Sequence, residues 1–138
     1  MKLLYFLPLL LLSTNTFGQD TLLRPGEHLH PFVMQYTGSE SNVDPFYKYQ
    51  LEFLVQYINQ SDSIEIHVRG HVCCGPSQRL SKKRAKKVYK YLLREGIDPT
   101  KITYRGYSDT APRNWPEKTK DDEMANRRVD FVIRVKDS

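Results

Sequence analysis

Apolar and polar residues alternate most regularly at residues 64–69, Ile-Glu-Ile-His-Val-Arg. This two-residue period is typical of a β-strand with one buried face. Gly70 and the Gly75-Pro76 pair break the alternation and predict a turn. The strand is therefore expected to lead into a short polar loop.

A basic helix is predicted directly after this loop. Gly96 follows its last apolar residue and is expected to end the helix in the left-handed conformation, with Ile97 making the apolar contact of such a cap. A strand that feeds a helix through a short loop puts polar groups at the carboxyl end of the strand, where α/β folds commonly hold ligands. The helix is indicated by apolar residues at spacings of three and four, namely Ala85, Val88, Tyr89 and Leu92.

Three further strands are predicted, at residues 32–36, 101–107 and 127–135. The long segment 108–123 between the last two is predicted to be a loop, and loops of this length tend to be functional or mobile. Strands with one apolar and one polar face suit a sheet that is covered by helices on one side only. The pattern therefore predicts a two-layer α/β sandwich.

Another helix is predicted after the first strand. The Asp44-Pro45 pair is typical of a helix start, with aspartate as the N-cap and proline at the first position. Several aromatic side chains follow, and we expect them to pack in the core rather than to form a platform for sugar rings. The predicted buried stripe consists of Tyr47, Leu51, Leu54 and Ile58, widened by Phe46, Phe53 and Tyr57.

The chain of 138 residues is long enough for one domain with a real core. Residues 1–18 have the features of a secretory signal peptide, with Lys2, a ten-residue apolar run and Gly18 at the end. An uncleaved anchor is the alternative, although ten apolar residues fall short of the ~20 that span a bilayer. We expect a flexible leader at residues 19–31 and the folded domain at residues 32–138.

The net charge is positive and concentrated in one helix. Removing residues 1–18 takes away Lys2, which leaves 20 basic and 16 acidic residues and a net charge of +4. In a cytoplasmic protein this density of basic residues would suggest a nucleic-acid partner. In an exported protein the remaining candidate partners are anionic envelope polymers and lipid headgroups. The alternative is a solvated helix face. The clustered residues are Arg79, Lys82, Lys83, Arg84, Lys86, Lys87, Lys90 and Arg94.

The two cysteines, Cys73 and Cys74, are adjacent in the sequence. Their Cα atoms are ~3.8 Å apart across a trans peptide, below the usual ~4.4 Å minimum for a disulfide, so a vicinal bridge is an open alternative to two partly exposed thiols. Metal binding together with His67 and His71 is a further alternative, but these histidines lie too far apart on a strand to be easy co-ligands. We predict no metal, no cofactor and no enzymatic activity, because no nucleophile-base pair or carboxylate pair is evident.

Five short motifs then occur in a fixed order over about residues 45–136, and together they resemble the OmpA-like C-terminal domain, the peptidoglycan-associating module of bacterial outer-membrane proteins. The resemblance implies an α+β fold, a β-α-β-α-β-β sandwich with helices on one face of a mixed sheet. It also implies non-covalent binding of the diaminopimelate side chain of peptidoglycan stem peptides. The motifs are Gly70-His71, Leu80-Ser81-Lys82-Lys83-Arg84-Ala85, Gly96-Ile97, Tyr104-Arg105-Gly106-Tyr107 and Asn126-Arg127-Arg128-Val129.

The resemblance also implies a set of ligand-binding residues. Arg84 occupies the position of the arginine that pairs with the ligand's carboxylate, a task suited to the planar guanidinium. It lies early in its helix, where the dipole favours an anion. Asn126, Arg127 and Arg128 occupy positions near the same pocket.

The chain departs from the family pattern at the turn. The family's Gly-His-Thr-Asp reads Gly-His71-Val-Cys73 here, so the aspartate that pairs with the ligand's ammonium group is absent. Ser77 stands where the family has an asparagine. Losing one charge-assisted contact removes about 1.5–3 kcal/mol of binding free energy.

The sequence therefore predicts one of two functions. The first is a non-catalytic envelope module that binds the anionic stem peptides of peptidoglycan through an arginine-lined pocket. The second is a scaffold or protein-interaction module of the same fold that has lost diaminopimelate binding, with Cys73 and Cys74 as a redox-active or dimerising pair. We expect a periplasmic location, an outer-membrane protein as a further candidate partner, and no nucleic acid.

Overall fold

The computed structural model describes residues 28–137, in which a mixed sheet of five strands carries helices on one face. The strand order is β1-β5-β3-β4, and β2 also pairs with β5. Strands β3 and β4 are parallel, and the other pairs are antiparallel. The strands are β1 (His28–Leu29), β2 (Val33–Gln35), β3 (Ile64–Gly70), β4 (Ile102–Gly106) and β5 (Arg128–Val135). The predicted two-layer sandwich with a mixed sheet is confirmed.

Three α-helices lie within the described residues: α1 (Lys48–Asn59), α2 (Gln78–Arg94) and α3 (Lys120–Asn126). A short 3-10 turn, Pro45–Tyr47, precedes α1. Asp44 caps this turn, because its carboxylate accepts the backbone N–H of Phe46 at 2.9 Å. The predicted helix start at Asp44 is therefore confirmed, with a tighter first turn than expected.

Helix α2 ends as the sequence predicts. Gly96 has φ +108°, in the region that favours glycine. The N–H of Ile97 donates to the carbonyl of Leu92, and the N–H of Gly96 donates to the carbonyl of Leu93, each at 3.1 Å. These two bonds form a Schellman cap, and the buried Ile97 side chain supplies its apolar contact.

Helix α2 approaches the sheet very closely at two glycines. A Cβ atom added at Gly70 would clash with the carbonyl oxygen of Ser81 and lie 2.9 Å from its carbonyl carbon. A Cβ atom at Gly106 would clash with the backbone nitrogen of Lys82. The first turns of α2 therefore pack directly on the carboxyl ends of β3 and β4, where the candidate site lies.

The predicted loop at residues 108–123 is too long, because α3 begins inside it. Thr119 and Asp122 form a capping box, in which each side chain accepts the other residue's backbone N–H. Hydrogen bonds to Asp122, chiefly from the backbone N–H of Lys118 and the side chain of Asn114, lower the pKa of its carboxyl to about 2. This short helix has few buried residues, so it leaves no apolar period in the sequence.

The folded part also begins earlier than residue 32. His28 and Leu29, which the sequence places in a flexible leader, pair with Arg134 and Ile133 of β5. A strand of two residues is too short to produce a recognisable alternation. The predicted signal peptide at residues 1–18 and the first part of the leader, residues 19–27, lie outside the described residues.

The predicted stripe on α1 is confirmed only in part. Leu51, Leu54 and Ile58 are buried, whereas the side chains of Phe46 and Phe53 are 72% and 69% exposed. The prediction that these two phenylalanines belong to the core is wrong, since Phe46 in the 3-10 turn and Phe53 on α1 both face solvent. Among residues 28–137, none of the helices is long and apolar enough to cross a lipid bilayer.

Candidate ligand-binding site

The turn at residues 71–77 connects β3 to α2 and is tied to the ends of the neighbouring strands. The backbone N–H of His71 donates to the carbonyl of Arg128 at 2.9 Å, and that of Val72 donates to the carbonyl of Ser108 at 3.0 Å. At the other end of the turn, the N–H of Ser77 donates to Oγ of Ser108 at 2.8 Å. The turn is thus held in place from both sides.

Ser77 is the N-cap of α2. Its hydroxyl oxygen accepts the N–H of Leu80 at 3.2 Å. The amide of Gln78 donates to the carbonyl of Gly106 at 2.7 Å, and the N–H of Ser108 donates to Oγ of Ser81 at 3.0 Å. These bonds fix the helix N-terminus over the end of β4, and they commit the hydroxyl of Ser77 to the helix.

Arg84 is completely buried behind the turn. Its guanidinium donates to the carbonyls of Gly38, at 2.7 Å from Nη2, and Glu40, at 2.8 Å from Nε. Nη1 donates to the carbonyl of His71 at 2.9 Å. The ring of Tyr36 lies 4.9 Å from the guanidinium carbon. Arg84 therefore joins the segment 38–40 to the end of β3.

The charge of Arg84 is not neutralised by a bonded carboxylate within residues 28–137, because its hydrogen bonds go to backbone carbonyls. Burial lowers the pKa of Arg84, and the nearby charge of Arg127 lowers it further. Burial also raises the pKa of Tyr36, with Arg84 acting in the opposite direction. The charges of the two arginines therefore act on each other, and Arg127 is also paired with the carboxylate of Glu123.

Arg127 is the more accessible of these two arginines, with 21% of its side chain exposed. Its Nη2 lies 3.1 Å from a carboxylate oxygen of Glu123 and 3.8 Å from Sγ of Cys74. The other nitrogens of its guanidinium bond to no atom of residues 28–137. One edge of Arg127 is therefore available to a ligand.

Cys73 and Cys74 form a disulfide bond, so the expected pair of free thiols is not found. The N–H of Cys74 donates to Oε2 of Glu117 at 3.1 Å. Cys74 has φ +62°, which is uncommon for a residue with a side chain. The bridge occupies the place where the sequence lacks the family's aspartate.

A metal site formed by these cysteines with His67 and His71 is not present in the described structure. The ring of His67 bonds to Oγ1 of Thr103 and to the hydroxyl of Tyr107, at 2.7 and 2.9 Å. The ligand atoms of Cys73, Cys74 and Glu123 do lie within 4.8 Å of one another. However, sulfur atoms that are bonded to each other offer no thiolate to a metal ion.

Asn126 is buried and supports the segment that covers the site. Its side-chain oxygen accepts the N–H groups of Arg113 and Asn114, at 2.7 and 3.0 Å. Its amide nitrogen donates to the carbonyl of Asn114 and to Oε1 of Glu117, both at 2.9 Å. Every polar atom of this side chain is used within the protein, so we assign Asn126 a supporting part in the site.

Arg128 lies apart from Arg84 and Arg127. Its Nε donates to Oδ2 of Asp130 at 3.0 Å, and its Nη2 donates to the carbonyl of Ala111 at 2.9 Å. Nε2 of His71 is 3.3 Å from the same carboxylate, and Nε of Arg69 donates to its other oxygen at 2.5 Å. The structure thus brings Arg84, Arg127 and the cysteines together, and it places Arg128 and the His71 ring in a second cluster.

The carboxylate of Asp130 is expected to contribute to the stability of the fold in a pH-dependent way. Burial raises the pKa of the Asp130 carboxyl, but the His71 ring 3.3 Å away and the hydrogen bond from Arg69 outweigh burial and leave the pKa well below the usual value. A depressed folded-state pKa gives stability that is present above the unfolded pKa of about 3.9 and is lost as the pH falls below it. Asp130→Asn should therefore weaken the dependence of the unfolding free energy on pH between about 5 and 2.

Urea unfolding at a series of pH values measures this slope, with Asp137→Asn as a control that removes an exposed carboxylate. The control should keep the slope of the unmodified protein. Identical slopes for the two variants would contradict the contribution assigned to Asp130.

Comparison with known proteins is consistent with this geometry. A family model described as the OmpA family matches residues 35–127. The chain is 30% identical over 86 residues to outer membrane porin F of Pseudomonas fluorescens, and the match covers 59% of the chain and 26% of the porin. The chain thus spans about a quarter of the length of this curated relative.

Solved structures share the fold. The peptidoglycan-associated lipoprotein from Burkholderia pseudomallei has a TM-score of 0.69 and 19% identity, with 74% of this chain and 89% of that chain covered. The C-terminal domain of Helicobacter pylori MotB has a TM-score of 0.69 and 20% identity, with 75% and 84% covered. At these identities the likeness shows the architecture.

Proposed function

The chain belongs to the OmpA family, and on this premise we propose that it binds peptidoglycan stem peptides at the turn of residues 71–77. Domains of this family are non-enzymatic, and the chain is a non-catalytic module of the cell envelope. The assignment of a ligand site to this turn is supported by the unbonded edge of the Arg127 guanidinium, which lies beside Cys74 and close to the buried charge of Arg84. A stem peptide carries carboxylates, which are suitable partners for guanidinium groups.

Arg127 is the residue that contacts the ligand in this proposal, because one edge of its guanidinium is free of protein partners within residues 28–137. Arg84 is fully covered by the segment 38–40 and by Tyr36, so it acts as a positioning residue. Its charge still strengthens the attraction of Arg127 for an anion, since burial limits screening by solvent.

The names of similar proteins support a location in the envelope. One is an outer membrane porin, one is a peptidoglycan-associated lipoprotein, and one is described as the periplasmic domain of MotB. We propose by analogy that this domain lies in the periplasm, close to the cell wall and in reach of outer-membrane proteins.

Retention on purified peptidoglycan tests this function. Arg127→Gln should lower the affinity by about 10- to 100-fold, because one charge-assisted contact of about 1.5–3 kcal/mol is lost. Arg94→Gln is the matched control, since it removes the same charge at the far end of α2. The measurement is the fraction of folded protein that sediments with the wall as protein concentration is varied at low ionic strength.

The control should sediment like the unmodified protein. Equal retention of both variants would show that Arg127 takes no part in binding. Failure of the unmodified, folded protein to sediment at all would contradict wall binding itself.

A second candidate is a scaffold or protein-interaction module that has lost diaminopimelate binding. It is favoured by the complete burial of Arg84 and by the Cys73–Cys74 bridge in place of the family's acidic residue. In this alternative the bridge is the functional element, either as a redox-active pair or as a source of thiols that join two chains.

Mass spectrometry after alkylation tests the premise of this alternative. Without reductant, Cys73 and Cys74 should take up no label, and after reduction and denaturation they should take up two, because the bridge leaves neither thiol free. Two labels on the unreduced protein would contradict the bridge.

A further inference from the structure

A second group of arginines surrounds a shallow cavity of about 510 Å³ on the face of the sheet that carries no helix. Arg69 of β3 and Arg128 of β5 line it from the sheet, and Arg113 lines it from the segment before α3. Asp130 is the acidic residue of the lining. No residue of the turn at residues 71–77 lines this cavity, and the cavity does not depend on the function proposed for that turn.

The cavity holds more positive than negative charge. Both oxygens of Asp130 are already engaged, by Nε of Arg69 at 2.5 Å and by Nε of Arg128 at 3.0 Å. The side chain of Arg113 forms no ion pair with any residue of the described range 28–137. Three guanidinium groups therefore face one carboxylate, which is an arrangement that attracts an anion.

The guanidinium of Arg128 is buried and one of its nitrogens is unpaired among residues 28–137. The side chain is only 7% exposed, and the unpaired nitrogen is Nη1. Unpaired buried donors are rare in folded proteins and costly when they occur. Burial lowers the pKa of Arg128, and the charges of Arg69 and Arg113 lower it further, with Asp130 opposing them.

We propose that this cavity binds an oxyanion, a carboxylate or a phosphate group, through the guanidinium groups of Arg69, Arg113 and Arg128 that line it. Arg69 and Arg113 balance the charge of the bound group from either side. The planar guanidinium is suited to such oxygens, and a charge-assisted bond to a partly dehydrated arginine is stronger than one made in open solvent. A bound anion would reduce the repulsion among the three arginines.

Titrations of the folded protein with inorganic phosphate and with acetate test this proposal, each at constant ionic strength in chloride. Backbone amide NMR shifts should change at residues 69, 113 and 128–130. A larger response to phosphate identifies a phosphate-bearing ligand, and a larger response to acetate identifies a carboxylate. Shifts that chloride alone reproduces, or that spread evenly over the basic face of α2, would overturn the proposal.

Arg113→Gln is the informative variant, because Arg113 is exposed and its side chain supports no other part of the described structure. It should weaken the binding of the preferred anion by about tenfold or more, as expected for the loss of one charge-assisted contact. Arg94→Gln, the control with the same change of charge on α2, should stay within about twofold. An unchanged affinity in Arg113→Gln would contradict the site.

Discussion

Replacing Arg84 by alanine is expected to lower the free energy of unfolding by about 3–5 kcal/mol. The guanidinium donates to three backbone carbonyls, of Gly38, Glu40 and His71, and the side chain is completely buried. The substitution removes all three bonds and leaves a cavity next to Tyr36. Equilibrium unfolding in urea, followed by circular dichroism, gives the change directly.

Lys83→Ala is the control for this experiment, since Lys83 is the exposed neighbour of Arg84 on the same helix. It should change stability by no more than about 0.5 kcal/mol. Arg84→Lys should fall between the two, because lysine keeps the charge but lacks the planar fork. A loss of less than about 1 kcal/mol for Arg84→Ala would show that the three bonds do not hold the segment 38–40 in place.

Replacing Gly70 by alanine is expected to cost about 3 kcal/mol or more, because there is no space for a methyl group. The added Cβ would clash with the carbonyl oxygen of Ser81, a backbone atom of α2 that can move only with the helix. The start of α2 would be pushed away from the ends of β3 and β4, and the turn at residues 71–77 would move with it. Urea unfolding measures the loss of stability.

Gly75→Ala separates the effect of space from that of backbone conformation. Gly75 has φ +115° with nothing within 4 Å of an added Cβ, so alanine there should cost only about 1–2 kcal/mol of conformational strain. If Gly70→Ala destabilised the protein no more than Gly75→Ala, the close approach of α2 to the sheet would be wrong.

The order of the longer strands and helices could be predicted from the sequence because each of them has a regular spacing of apolar residues. Residues 64–69 alternate, and the glycine at position 96 marks the end of α2. Helix α3 was missed because it is short and mostly exposed, so its only signal is the Thr119–Asp122 capping box.

The burial of Arg84 could also have been predicted. It lies three residues after Ser81 and four before Val88, which places it on the buried stripe of α2. The sequence does not reveal what covers it, since the covering groups are backbone carbonyls of a polar segment distant in the chain. Backbone acceptors are the same in every residue, so they leave no trace in composition or spacing.

The separation of Arg127 and Arg128 follows from their positions. Arg128 is the first residue of β5 and Arg127 directly precedes it, and neighbouring side chains along an extended chain point to opposite sides, so they are not expected to line one pocket. The structure agrees, because Arg127 lies beside Cys74 and Arg128 lies beside Asp130. The expectation that both arginines serve one ligand came from the shared motif, which says nothing about side-chain direction.

The most direct test of wall recognition is an amide NMR titration with a soluble stem peptide that contains diaminopimelate. If the peptide binds at the turn, the largest shifts should cluster at residues 71–78, at Arg127 and at the segment 38–40 that covers Arg84. Shifts confined to other surfaces, or no shifts at millimolar peptide with a folded sample, would contradict a ligand site at this turn.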